Sequence, residues 1–442
     1  MSKKLAIHGG EKVVPSGLEV MWPVITEEDK QAVMAVLERG IIWGPYAPEV
    51  KAFQEEWAEY VGMKYCIALN SGTAALHCAV AAAGIGPGDE VITSAFSFLA
   101  SAVAIMHHNG VPVFVDIGPR TFNIDVTKIE EKITDRTKAI IPVDIHGVPA
   151  DMDEINAIAR KHNLVVIEDA AQAHGSEYKG RKAGSLGDIG IFSLNTTKNL
   201  PGGEGGLLVT DNVEYRGKAN MTRIFGEYLE EGEGRSYRSY TMGWHFRTQE
   251  MPAAFARSQL KRLDEYNANA RRNGQYLTEG LQTIKGVEPP YIPPDRTTNY
   301  HKYRVRLKRE ELGLEVEPTE FRDKVVAALK AEGVSVALWQ TIPLPGHPLF
   351  QEKVGYGKGC PWSCPFGGRE IEYRSEDYPE TIKLLDNSLV VAEESYPLYP
   401  QKLELMKHYV EAFEKVFTNI DEVLEIELAP PKKVTVGRAE LL

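Results

Sequence analysis

The chain reads as an α/β protein: a mostly parallel sheet in a large domain, then a smaller α+β domain. Three observations predict this. Short apolar runs rich in β-branched residues recur through the first half of the sequence. Stretches of helical pattern separate them, and such alternation puts helices on both faces of a parallel sheet. A length of 442 residues is ample for a buried core and too long for one typical domain.

Residues 1–20 read as an N-terminal arm and 21–263 as the large domain. Cys66-Ile-Ala-Leu, Glu90-Val-Ile-Thr, Val111-Pro-Val-Phe-Val, Ala139-Ile-Ile-Pro-Val and Leu164-Val-Val-Ile are its first five strands. Thr73 to Ala83, Phe98 to His107 and Met152 to His162 are the helices between them. Gly190-Ile-Phe-Ser and Gly206-Leu-Leu-Val-Thr add two strands, and Met251 to Asn273 reads as one long bridging helix. Residues 264–428 form the smaller domain. Its strands are Tyr303-Arg-Val-Arg-Leu, with alternating exposure, and Val334-Ser-Val; its helices are Glu320 to Glu332, capped by Thr319, and Glu404 to Phe417. The stretch 343–377, rich in glycine, proline and aromatics, is either a lid at the site or a plain structured insertion. Residues 429–442 read as a surface tail.

The formal charge is −12 and no lysine-arginine block stands out, which argues against nucleic-acid and membrane-surface partners. The N-terminus lacks the apolar core of a signal peptide, and no window holds about 18 uninterrupted apolar residues. Four cysteines without an export signal read as cytoplasmic thiols. Cys360-Pro-Trp-Ser-Cys364 is spaced one residue wider than a redox pair and has no histidine cluster beside it. It reads as a structural loop, and no metal is expected.

The chemistry lies in two segments. Val165-Val-Ile-Glu-Asp169 is an apolar run ending in an acid, and Ser193-Leu-Asn-Thr-Thr-Lys198 is a second run ending in a lysine beside hydroxyls. Pyridoxal phosphate (PLP) chemistry needs that pair. The acid keeps the pyridine nitrogen protonated, and the lysine forms the Schiff base. Side chains at strand C-termini of open α/β sheets face the ligand crevice, which favours Asp169; Glu168 belongs on the opposite face. Burial would depress the pKa of Lys198 and free its amine. Gly202-Gly-Glu-Gly-Gly206 demands a tight turn behind it. Asn70-Ser71-Gly72-Thr73 opens a helix, and is either a phosphate cradle or a simple cap.

Together with Gly86-Pro-Gly-Asp-Glu-Val-Ile, Ile141-Pro-Val-Asp-Ile-His-Gly, Glu168-Asp-Ala-Ala-Gln-Ala-His-Gly and Glu204-Gly-Gly, these segments resemble the DegT/StrS-type sugar aminotransferases among the fold-type I PLP enzymes. The resemblance runs from about Trp22 to about Phe417. It implies that Lys198 carries the cofactor and shuttles protons, and that Asp169 partners the pyridinium. It places Gln172 at the ring hydroxyl, Phe98 on the ring face, and Ser71, Gly72, Thr73 and Ser193 at the phosphate. Where the family has asparagine reaching the phosphate of a neighbouring subunit, this chain has His245, in Gly243-Trp-His245-Phe-Arg247. The histidine either donates the same hydrogen bond or serves a different substrate. His146, His245 and Tyr303 are candidate contacts to the acceptor.

The resemblance further implies a homodimer with shared active sites. The reaction it implies takes an amino group from glutamine or glutamate to a keto-cyclitol or keto-sugar. Leu5-Ala-Ile-His-Gly-Gly-Glu-Lys-Val and the long 343–377 segment resemble cyclitol and antibiotic-pathway members. A nucleotide-diphosphate sugar, a dehydratase or aromatising reaction, and a silent PLP-binding regulator are the alternatives.

Overall fold

The computed structural model describes residues 4–428 apart from 230, 233 and 367–370. The tail expected at 429–442 lies outside the described residues.

Seven strands form the main sheet: β1 (Tyr65–Leu69), β2 (Glu90–Ser94), β3 (Val111–Val115), β4 (Thr137–Ile141), β5 (Val165–Asp169), β8 (Ile189–Ser193) and β9 (Gly206–Thr210). Between β5 and β8 lies a small hairpin, β6 (Glu177–Tyr178) and β7 (Arg181–Lys182). The order across the sheet is β1-β9-β8-β5-β4-β2-β3, and only β9 runs against its neighbours. The expected strands are all present. Their side chains alternate between two cores, as a period of two requires. Ile141, Ile167, Ile191 and Leu208 pack under the helix Gly72–Ala82. Ile140 and Val166 face the helix Met152–His162 instead.

A second, antiparallel sheet carries β10 (Val287–Glu288), β11 (Tyr303–Leu307), β12 (Val336–Ala337) and β13 (Ser388–Val391), ordered β10-β11-β13-β12. It packs with the helices Leu263–Leu281, Pro318–Ala331 and Leu403–Thr418 around one apolar cluster. Leu5 and Val14 from the N-terminal segment are buried in the same cluster.

Four local expectations fail. The bridging helix is broken into Glu250–Leu260 and Leu263–Leu281, although no proline or glycine stands at the joint. The cause is tertiary: Arg262 binds Asp29 through 2.8 and 2.9 Å contacts, and Gln259 donates to Val24 O and Asp29. Thr319 is not the cap of its helix. Pro318, with its preset φ, takes the first helical position, so Glu317 precedes the helix and Thr319 lies inside it. The strand expected at Val334 shrinks to Val336 and Ala337. Exposure does not alternate along β11, because Arg304 is buried beside Tyr303 and Val305.

The segment 343–377 is a structured insertion wherever it is described, and none of its described residues lines the cavity discussed below. Phe350, Tyr373 and Tyr378 surround Phe114 of β3, and Leu344 N–H donates to Ala95 O. It therefore buttresses the turn after β2 from behind. All four cysteines are free thiols. No helix among the described residues is long and apolar enough to cross a membrane.

Candidate active site

The C-terminal ends of β1, β2, β5 and β8 share one edge of the main sheet. Because β9 is reversed, the turn from β8 to β9 also crosses that edge, and it carries Lys198. Such an edge is where ligands bind in open α/β sheets. Here it opens on a cavity of about 290 Å³.

Two backbone approaches shape its floor. A Cβ on Gly72 would stand 2.7 Å from Ser193 Cβ, and one on Gly206 would stand 2.2 Å from Ser71 O. Only glycine lets β1, β8 and β9 meet so closely. Ser71 caps the helix, its Oγ accepting from Ala74 N–H at 3.0 Å. The cap and cradle readings are therefore compatible. The helix N-terminus, with the Thr73 and Ser193 hydroxyls beside it, presents donors and a favourable dipole to an anion in the cavity.

Asp169 ends β5 and is 4% exposed. Its Oδ2 accepts from Ser101 Oγ at 2.7 Å and its Oδ1 from Ala171 N–H at 3.2 Å. Burial raises its pKa, against the opposing effects of Ser101, Ala171 and the Lys198 charge. A cationic N–H in the cavity would restore the ionised form. Glu168 points the other way, as expected. Its carboxylate accepts from Gly184, Leu186 and Gly187 N–H at 2.6, 2.7 and 3.1 Å, a purely structural use.

Lys198 lines the cavity from a turn tied at several points. Trp22 Nε1 donates to Lys198 O at 3.1 Å, and Tyr399 Oη donates to Thr197 O at 2.9 Å. Asn195 Oδ1 accepts from Thr197 N–H and Oγ1, while its Nδ2 donates to Glu204 at 2.8 Å. Burial lowers the Lys198 pKa to about 8, helped by the charge of Lys302 and opposed by Asp169 and Glu394. Gln172 is buried against the same cavity, its Oε1 accepting from His146 N–H at 2.8 Å. Phe98 is 57% exposed, so its ring is a free face on the cavity and not a core side chain.

The structure thus brings together Ser71, Gly72, Thr73, Phe98, Asp169, Gln172, Ser193 and Lys198. It does not bring the three expected acceptor contacts with them. Tyr303 is fully buried in the second core, where its hydroxyl meets Thr278 Oγ1 at 2.8 Å. His146 is buried behind Gln172; its Nε2 accepts from Arg304 Nε at 2.9 Å, so the ring is a neutral structural acceptor there. His245 is exposed and lines a separate cleft with Ile42, Trp43, Gly44, Arg247, Thr248 and Gln249. Within one chain it does not reach the cavity.

The residues that replace them were not singled out in the sequence. Ser97 and Ser101 come from the turn and helix after β2. His301, Lys302, Trp339 and Glu394 come from loops at the edge of the second sheet. The one available signal was Lys302 and its neighbours preceding a strand, which is weak without the fold.

These side chains fit PLP. The anion-favouring helix terminus suits the phosphate, buried Asp169 the ring nitrogen, the exposed Phe98 face the ring, and the Lys198 amine the aldehyde. Comparison with known proteins points the same way. Residues 23–372 match the DegT/DnrJ/EryC1/StrS aminotransferase family. The chain is 37% identical over 389 residues to the spore coat polysaccharide biosynthesis protein SpsC of Bacillus subtilis, covering 86% of this chain and 91% of that one. It is 37% identical over 344 residues to a putative L-glutamine:3-amino-2,3-dideoxy-scyllo-inosose aminotransferase of Streptoalloteichus tenebrarius, covering 76% and 79% of the two chains. Among solved structures, 3-amino-5-hydroxybenzoic acid synthase superposes with a TM-score of 0.80 at 26% identity, covering 92% of this chain and 99% of that one.

Proposed function

The chain belongs to the DegT/DnrJ/EryC1/StrS aminotransferase family and is a PLP-dependent aminotransferase of fold type I; we propose that it moves an amino group from L-glutamine or L-glutamate to the keto group of a cyclitol or sugar. One observation carries the reading: a single cavity joins Lys198, Asp169 and the Ser71–Thr73 turn to a polar wall of His301, Lys302, Trp339 and Glu394.

PLP, when bound, supplies an electron sink for the carbon that gives or receives the amine. Lys198 would hold it through its amine, with Ser71, Gly72, Thr73 and Ser193 at the phosphate, Gln172 at the ring hydroxyl and Phe98 on the ring. With the donor amine bound in the cavity, Lys198 Nζ would be the group placed to take up and return a proton at the substrate carbon. Its lowered pKa, about 8, keeps the neutral amine accessible near neutral pH. Asp169 would hold the ring-nitrogen proton, and the Ser101 hydroxyl, donating to Asp169 Oδ2 at 2.7 Å, orients the carboxylate for it.

The inosose aminotransferase relative supports a cyclitol acceptor, as do the sequence features at 5–13 and 343–377. The polysaccharide-biosynthesis relative supports a sugar acceptor as the second reading. The enzyme would work in the cytoplasm as a homodimer. Ile42 and Trp43, exposed beside the His245 cleft, support a second copy seated there, with His245 turned toward that copy's phosphate site.

The test is the absorbance spectrum of the purified protein before and after L-glutamine or L-glutamate. A visible band that one of them bleaches toward the near-ultraviolet is expected. A band that no amino acid shifts would overturn the donor assignment in favour of a dehydratase or a silent PLP binder. Product analysis with keto-cyclitols and nucleotide keto-sugars then separates the two acceptors.

A further inference from the structure

We propose that Lys302 binds the α-carboxylate of the amino-acid donor and so sets the preference for amino acids over simple amines. The inference rests on the aminotransferase reading above.

Both candidate donors bring the same group into the cavity: a carboxylate on the carbon that bears the amine. A carboxylate stripped of water needs a cation with hydrogen-bond donors. Among the described residues, two cations line this chain's cavity, Lys198 and Lys302. Lys198 is committed to the amine. The next buried cation, Arg304, has its three nitrogens on His146, Ser388 and the Trp339 carbonyl. Lys302 is left for the carboxylate. It lies close enough to Lys198 for the two charges to act on each other.

The asymmetry of its ion pair fits that task. Lys302 Nζ stands 3.1 Å from Glu394 Oε1, yet the lysine side chain is 4% exposed and the glutamate 51%. The lysine is fixed, with its ammonium 5.4 Å from the Trp339 ring centroid. The glutamate, on the loop after β13, is half exposed, so water can solvate it if the pair opens. An incoming carboxylate can then take its place on Lys302, so the buried ammonium is paired with and without donor. Leaving it unpaired would be costly.

The experiment uses the PLP-loaded enzyme and measures the rate of bleaching of the visible band in single turnover. The probes are L-glutamine and L-glutamate, each against its decarboxylated amine, 4-aminobutanamide and 4-aminobutanoate. For Lys302→Met the rate constant with the amino acid should fall about 10- to 100-fold, the worth of a charged hydrogen bond, while the decarboxylated amine is hardly affected. Lys302→Arg should recover part of the loss. Glu394→Gln, which removes the competing carboxylate, should tighten binding of the amino acid. An equal loss with both kinds of amine, or none with the amino acid, would overturn the proposal while leaving the aminotransferase reading intact. If Lys302→Met does not retain the visible band, Glu394→Gln decides: tighter donor binding supports the proposal, and unchanged or weaker binding overturns it. A wild-type enzyme that neither amino acid bleaches would overturn the functional reading, and this inference with it.

Discussion

The two ends of the cavity are built differently. The end proposed to hold the cofactor is made of strand ends and turns along one edge of a single sheet: Ser71–Thr73 after β1, Ser97 and Phe98 after β2, Asp169 at the end of β5, Ser193 at the end of β8 and Lys198 in the turn that follows. The substrate end is made of single residues from three loops of the second sheet, His301 and Lys302, Trp339, and Glu394. The first end depends on local backbone geometry. The second depends on how one sheet docks on another, through buried contacts such as Arg304 on His146 at 2.9 Å. Chemistry common to a family can sit on the first, and acceptor choice can vary on the second without disturbing it.

The largest effect is expected at Lys198. Lys198→Ala should lower turnover by about a thousandfold or more, with loss of the visible band; near-normal turnover would remove the cofactor end from the chemistry. Asp169→Asn should keep the band but cost about a hundredfold or more in kcat, because the ring nitrogen loses its charged partner. Steady-state rates with saturating donor check this.

A milder test uses pH. A lysine at its ordinary value near 10.5 would be almost wholly protonated at neutral pH, whereas burial lowers Lys198 to about 8. Only the neutral amine attacks an aldehyde. Capture of PLP by the cofactor-free protein should therefore speed up about tenfold per pH unit below 8 and level off above it. A rate still climbing toward pH 10 would show that the amine is not desolvated.

The smallest effect is expected at Tyr303. Tyr303→Phe removes only the hydrogen bond to Thr278. It should cost about 1 kcal/mol of stability, visible in a thermal melt, and leave kcat/KM within about twofold. A large rise in the acceptor's KM would return Tyr303 to the substrate end, against its burial.

The sequence was legible where a function rests on a short segment. Val165 to Asp169 is both a buried strand and the carrier of the acid, so period and chemistry coincide in five residues. Ser71-Gly-Thr and Gly206 were legible because glycine is required where backbones touch. The same local reasoning misplaced Tyr303 and His146, since a polar aromatic on a strand or turn looks alike whether it faces a cavity or a core. It also ran one helix through Lys261 and Arg262, because Asp29, the partner that bends the chain there, is more than two hundred residues away.

By itself, then, the sequence determined the α/β class, the strand order along the chain, the PLP-binding lysine and acid as candidates, and the glycine-lined turns around them. Only the tertiary structure decided which residues face them. Lys302 became a candidate ligand because the second sheet sets a buried ammonium and an exposed carboxylate at the mouth of the cavity. Burial and proximity belong to the packed whole, and no window of sequence contains both.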